Sequence, residues 1–182
     1  MTLKLWGLAS AVLLLAGCQS TSTPISDQQS SNNPLISVRQ AALAKCQPLT
    51  YRCHKQVPMA VSEWSPSPEA ASAAAHLSAA SIATLQAIQT DSGYGRAWLE
   101  FQIGRQYVEQ RQLVASVSYL TSATKSQVLD SLEHKVALKM LISVFMEYHQ
   151  TEKAREAIEN YLAYMGDDAE PVYIDLLKML KK

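Results

Sequence analysis

From Glu69 to the C-terminus, apolar residues recur at helical spacing, and no stretch holds the strict alternation of a strand. The spacing predicts a helix from about Arg96 to Gln110 and a second from Leu113 to Lys125. A longer helix is expected from about Leu129 to His149, and another from Glu152 to Met165, stopped by Gly166. Pro171 opens a last helix striped by Val172, Tyr173, Leu176, Leu177 and Leu180. Residues 69–90 are dense in Ala and Ser, and their pattern leaves open one helix or a degenerate hairpin. Asp91-Ser92-Gly93 and Gly95 break that run from the next. Before it, Asn33-Pro34 reads as an N-cap followed by proline at the first helical position, and Pro48 limits that helix. Ser65-Pro66-Ser67-Pro68 is a hinge or a helix lead-in. The fold class is therefore all-α, and short links favour antiparallel neighbours.

The first residues follow another pattern. Lys4 precedes an apolar run from Leu5 to Leu15, too short to span a bilayer, which takes roughly 20 residues. Leu15-Ala16-Gly17-Cys18 resembles the lipobox of bacterial lipoproteins. The resemblance implies cleavage of a 1–17 signal peptide and diacylglycerol on Cys18. Two or more acyl chains would anchor the chain stably. Gln19, in place of Asp, implies sorting to the periplasmic face of the outer membrane. Residues 18–33 are polar and read as a flexible tether, 34–68 as a helix with a loop and hinge, and 69–182 as the main helical domain.

Charge narrows the partners. The chain carries 16 basic and 16 acidic side chains, and only Lys4 leaves with the signal peptide. That balance gives no footprint for nucleic acid. Cys46 and Cys53 fit neither a CxxC redox pair nor a zinc knuckle, and an exported chain meets an oxidising compartment, so they are expected to form a disulfide. His54, His76, His134 and His149 are scattered without metal-ligand spacing, so no metal or other cofactor is expected.

Two stretches repeat. Residues 97–130 place Ile103-Gly104, Tyr107, Ser116, Leu120 and Ala123 at the signature positions of the 34-residue tetratricopeptide pattern. Residues 135–168 place Leu138, Leu141, Phe145, Ala154, Ile158 and Tyr161 there. The chain departs from the pattern at Glu100, Ile142, Val128 and Gly166, and its second match starts 38 residues after the first. It resembles an outer-membrane lipoprotein of the tetratricopeptide class. That resemblance implies a non-enzymatic scaffold binding an envelope protein or peptide, with no small-molecule substrate. Assembly factors for secretins or pili and adaptors for cell-wall hydrolases are of this kind. The concave-face positions fall on Trp98, Phe101, Arg105 and Val108, then Val136, Lys139, Ser143 and Met146. Trp98, Phe101, Arg105 and Lys139 are the partner-binding candidates, since aromatic and cationic side chains dominate hot spots. Packing on the preceding Ala-rich helix is the competing role for Trp98 and Phe101. Ser122-Ala123-Thr124-Lys125 matches the SxxK motif of penicillin-binding proteins, which keeps a small envelope enzyme as the alternative, although its companion motifs are missing.

Overall fold

The computed structural model describes residues 41–57 and 64–181, and all regular structure among them is helical. Cys18, the signal peptide, the tether and the Asn33-Pro34 helix start lie outside the described residues. Residues 41–43 are helical, and a Cys46–Cys53 disulfide with a Cα–Cα distance of 5.8 Å follows. That bond ties residue 46 to α1 (Tyr51–Gln56), whose N-cap Thr50 accepts from the Cys53 amide at 3.4 Å.

The Ala/Ser-rich stretch is two helices, α2 (Pro68–Ala75) and α3 (Ala79–Ala87). Ser67 caps α2 at the Ala70 amide with Pro68 at the first helical position, so the Ser65–Pro68 segment is a lead-in. The split falls at 76–78 because two side chains satisfy the helix ends there. The His76 ring nitrogen donates to the Ser72 carbonyl at 2.7 Å, and Ser78 accepts from the Ser81 amide at 3.0 Å.

Two longer hairpins follow: α4 (Gly93–Glu109) with α5 (Leu113–Lys125), and α6 (Ser131–Glu147) with α7 (Thr151–Met165). A short 3-10 turn, Gly166–Asp168, leads to α8 (Pro171–Leu180). No helix of the described residues is long and apolar enough to cross a membrane. The second hairpin restates the first. Both of its first-helix bounds recur 38 residues on, Gly93 to Ser131 and Glu109 to Glu147. The connecting turns recur too. In the first, the amides of Gln110, Arg111 and Gln112 donate to the carbonyls of Gln106, Val108 and Tyr107. In the second, Tyr148, His149 and Gln150 donate to Val144, Met146 and Phe145. Arg111 and His149 both adopt left-handed backbone, with φ of 60° and 54°, to turn the chain.

Packing is sequential. Ile82, Leu85, Leu99 and Ile103 join α3 to α4; Phe101, Leu120, Ala123, Ala137 and Leu141 join α4, α5 and α6. Ile142, Ile158, Tyr161 and Met165 join α6 to α7, and Tyr173, Leu176, Leu177 and Leu180 lay α8 over them. No residue of α8 is fully buried.

Two glycines permit close approach. A Cβ on Gly104 would sit 2.8 Å from Leu120 Cγ and 3.2 Å from the Leu120 amide nitrogen, so α4 and α5 meet backbone to side chain. Gly95 is not a helix breaker, as its sequence context suggested. It lies inside α4 because a Cβ there would meet the Trp64 indole at 2.7 Å and Thr90 Oγ1 at 2.9 Å.

Gly104→Leu should lower stability by about 1–3 kcal/mol, since Leu120 is fully buried and cannot retreat. Gly104→Ala should fail to deliver the roughly 1 kcal/mol that helix propensity offers at an open site. Urea melts of both variants check this; a stabilised Gly104→Ala contradicts the close approach.

Candidate functional site

The four partner-binding candidates of the sequence do not form an open groove. Phe101 is 5% exposed and belongs to the core between α4, α5 and α6. Trp98 is half-buried, its ring 5.2 Å from that of Trp64. The chain between α1 and α2 thus returns an indole onto the face where a partner was expected. Arg105 donates from Nη2 to the Ala74 carbonyl at 2.6 Å, and Gln106 donates from Nε2 to the Ala73 carbonyl at 2.6 Å. These are orphan carbonyls at the C-terminus of α2, where a cation also complements the helix dipole. Lys139 lies 3.4 Å from Glu170 Oε1 and 5.5 Å from the centre of the Tyr173 ring, so it holds α8. Lys135 joins it at 3.0 Å from the same carboxylate oxygen. The lysine neighbours hold the Glu170 carboxyl below the usual range, against the effect of desolvation. Three of the four candidates are therefore engaged with α2, Trp64 or α8, and the fourth is core.

The open hollows lie elsewhere. One of about 290 Å³ is walled by Thr121, Thr124 and Lys125 of α5 and by Lys153, Glu156 and Asn160 of α7, over Leu138, Leu141 and Phe145 of α6. A second of about 390 Å³ shares Thr124, Lys125, Leu138 and Asn160 with it and continues to Pro48, Leu49, His134 and Tyr164. Together they make one groove between the second helices of the two hairpins. Lys125 of the SxxK match lines both hollows, whereas Ser122 is exposed and lines neither. The hydroxyl nearer the groove, Thr124, donates back to helix carbonyls, Leu120 at 3.0 Å and Thr121 at 3.1 Å.

At the groove's far end the disulfide segment is docked by a buried cluster. His54 is 1% exposed; its Nε2–H donates to the Leu129 carbonyl at 2.7 Å. That fixes the tautomer, so Nδ1, 2.9 Å from the Tyr164 hydroxyl, accepts from it. The same hydroxyl lies 3.2 Å from the Ser131 carbonyl, so its hydrogen is shared. The His134 ring packs 4.6 Å from Tyr164 and 5.7 Å from His54, centre to centre, and its Nδ1 is buried without a hydrogen bond. Burial first, then the closeness of the His54 ring, with which a second positive charge would compete, pushes His134 down to about 4. Burial pushes the Tyr164 hydroxyl up. Next to His134, burial and then the Asp130 carboxylate raise Glu133 to about 7, although Tyr94 donates to its Oε2 at 3.0 Å. Sequence reasoning missed this cluster, because His54 and His134 stand 80 residues apart and neither has a local signature. Among the described residues no group of three or more His, Cys, Asp or Glu could hold a metal ion.

With this geometry in view, the chain was compared with known proteins. No family profile matches it, and neither a curated protein nor a solved structure is significantly similar.

The Glu133 shift gives a pH signature. Between about 4.5 and 7 the unfolded chain has released the proton and the folded chain retains it, so wild-type stability falls there as pH rises. Glu133→Gln removes this loss. Its stability relative to wild type should climb from pH 4.5 to 7 and then level off. Thermal melts across that range check it; a relative stability that is flat or falling contradicts the buried carboxyl.

Proposed function

We propose that this chain is a lipid-anchored scaffold of the bacterial envelope, built on a short tetratricopeptide-like array and held at the periplasmic face of the outer membrane. The observation that carries the array is the 38-residue recurrence of helix bounds and turn hydrogen bonds between α4–α5 and α6–α7. Repeats of this kind bury their apolar faces only by stacking, and the stack leaves grooves suited to polypeptide partners. Gly104, Ser116 and Ala154 stand at the close-contact positions of that pattern, and Ser116 and Ala154 are fully buried. The anchor rests on Leu15-Ala16-Gly17-Cys18, and the Cys46–Cys53 disulfide suits an exported chain. The scaffold serves assembly rather than chemistry. The Ser122 hydroxyl of the SxxK match stands outside the groove that Lys125 lines, which favours binding over catalysis there.

In a bacterial host, full-length protein should fractionate with outer membranes and yield an N-terminal peptide beginning at an acylated Cys18. Cys18→Ser should leave the precursor uncleaved or release the chain from lipid. Mass spectrometry of the N-terminal peptide decides the matter; an unmodified N-terminus at another residue contradicts the anchor.

A further inference from the structure

The groove between α5, α6 and α7 has a charge pattern of its own. Among the described residues, ion pairs occupy Arg52, Arg105, Arg111, Lys135, Lys139, Arg155, Lys178 and Lys181. Lys45, Lys55, Arg96, Lys125 and Lys153 have no carboxylate within ion-pair distance among the described residues, and of these Lys125 and Lys153 line this one groove from opposite walls. Lys153 sits 5.8 Å from the centre of the Phe145 ring, so its charge is already poised over the apolar floor. The floor itself, Leu138 with Leu141 and Phe145, is a hollow of about 290 Å³, room for one large side chain. In the adjoining hollow, His134 is 5% exposed and has a buried ring nitrogen without a partner. Its ring therefore stands at the wall of that hollow and reports on what occupies it. Asn160 lines both hollows and can both donate and accept. Glu156, on the same wall as Lys153, is the one acidic side chain lining the groove among the described residues, and it sets a limit: it repels a second acidic group.

We propose that this groove takes an extended peptide segment of a partner protein that carries one carboxylate beside one large apolar side chain. The carboxylate lies between Lys125 and Lys153, the apolar side chain fills the Leu138–Leu141–Phe145 hollow, and the peptide main chain runs past Asn160 toward His134. The assignment rests on the scaffold reading, and it names that scaffold's contact surface and the chemistry of its partner. It also moves that surface from the Trp98–Lys139 face, which α2, Trp64 and α8 engage, to the opposite walls of the hairpins.

The test uses short fluorescein-labelled peptides in a Gly/Ser frame, bearing one Phe or Leu and one Asp at one to four residues' separation. Matched sets replace Asp with Lys, replace the apolar residue with Gly, or carry three Asp. Anisotropy with the full chain at low salt should show the single-Asp apolar set binding about tenfold tighter than each matched set, as expected for one charge-assisted contact joined to one buried side chain. The His134 ring resonances should shift on binding, which locates the peptide. Lys125→Glu with Lys153→Glu, both exposed positions, should leave the melt unchanged and reverse the preference toward the Lys set. No binding, equal binding of the sets, unmoved His134 resonances, or an unaltered preference in the double variant would each overturn the groove. If the double variant still cross-links in membranes to the same envelope proteins as wild type, the groove is wrong while the scaffold reading stands. Loss of the Cys18 anchor with an intact peptide preference would show the reverse.

Discussion

The approach of α4 to α5 at Gly104 sets the geometry of everything that follows. With hydrogen in place of a side chain, Leu120 can seat against the α4 backbone, at distances where a methyl group would not fit. The hairpin therefore closes tightly, and its remaining apolar faces must be covered by something else. On one side the short α2–α3 pair supplies Ile82 and Leu85; on the other, α6 supplies Ala137 and Leu141. The second hairpin solves the same problem differently. Ile142 stands where Gly104 stands in the first, fully enclosed at 2% exposure, so the packing there is filled by a side chain instead of by backbone proximity. The first-helix length and the connecting turn remain the same while the contact chemistry changes.

The consequence is a molecule that uses its own N-terminal part to finish its array. Trp64 returns to Trp98 and Tyr94, α2 offers its last carbonyls to Arg105 and Gln106, and α1 buries His54 between Leu129 and Tyr164. The disulfide fits this arrangement. A six-residue helix has too few apolar residues to hold itself in place, and His54 is its one buried residue. Fixing Cys53 to Cys46 restricts the chain around that single plug. Buried polar groups of this type cost little when satisfied and much when not, so His54 with its two partners makes a specific latch, while His134 beside it is left with an unpaired nitrogen.

What the sequence made legible is the part governed by local periodicity. Leu113–Lys125 was readable to the residue, because its apolar spacing acts within a few positions. The Cys46–Cys53 bond was readable from its spacing and from the oxidising compartment that the leader led one to expect, and the small residue at Gly104 from its place in the repeat. The rest depends on contacts far apart in sequence. Packing of Trp98 on the Ala-rich stretch was legible as its competing role, and Trp98 does pack there, but nothing near Trp98 or Arg105 announces the Trp64 indole or the α2 carbonyls. Gly95 resembles a breaker until the Trp64 indole is seen against it. The break at 76–78 is subtle as well, since His76 and Ser78 cap helices only in competition with an Ala-rich run that could continue. The groove between α5 and α7 escaped notice because Lys125 and Lys153 look like ordinary surface lysines until their opposing walls are brought together.

Hydroxyl-radical footprinting of the full chain, with each residue's rate referred to the urea-unfolded protein, tests most directly whether the face of Trp98 and Phe101 is covered from within. Phe101 and Tyr161 should be strongly protected, Trp98 partly so, and Met179 and Leu132, at 67% and 61% exposure, hardly at all. Phe101 and Trp98 reacting as freely as Met179 would show an open face, and would contradict the packing of α2 and Trp64 described here.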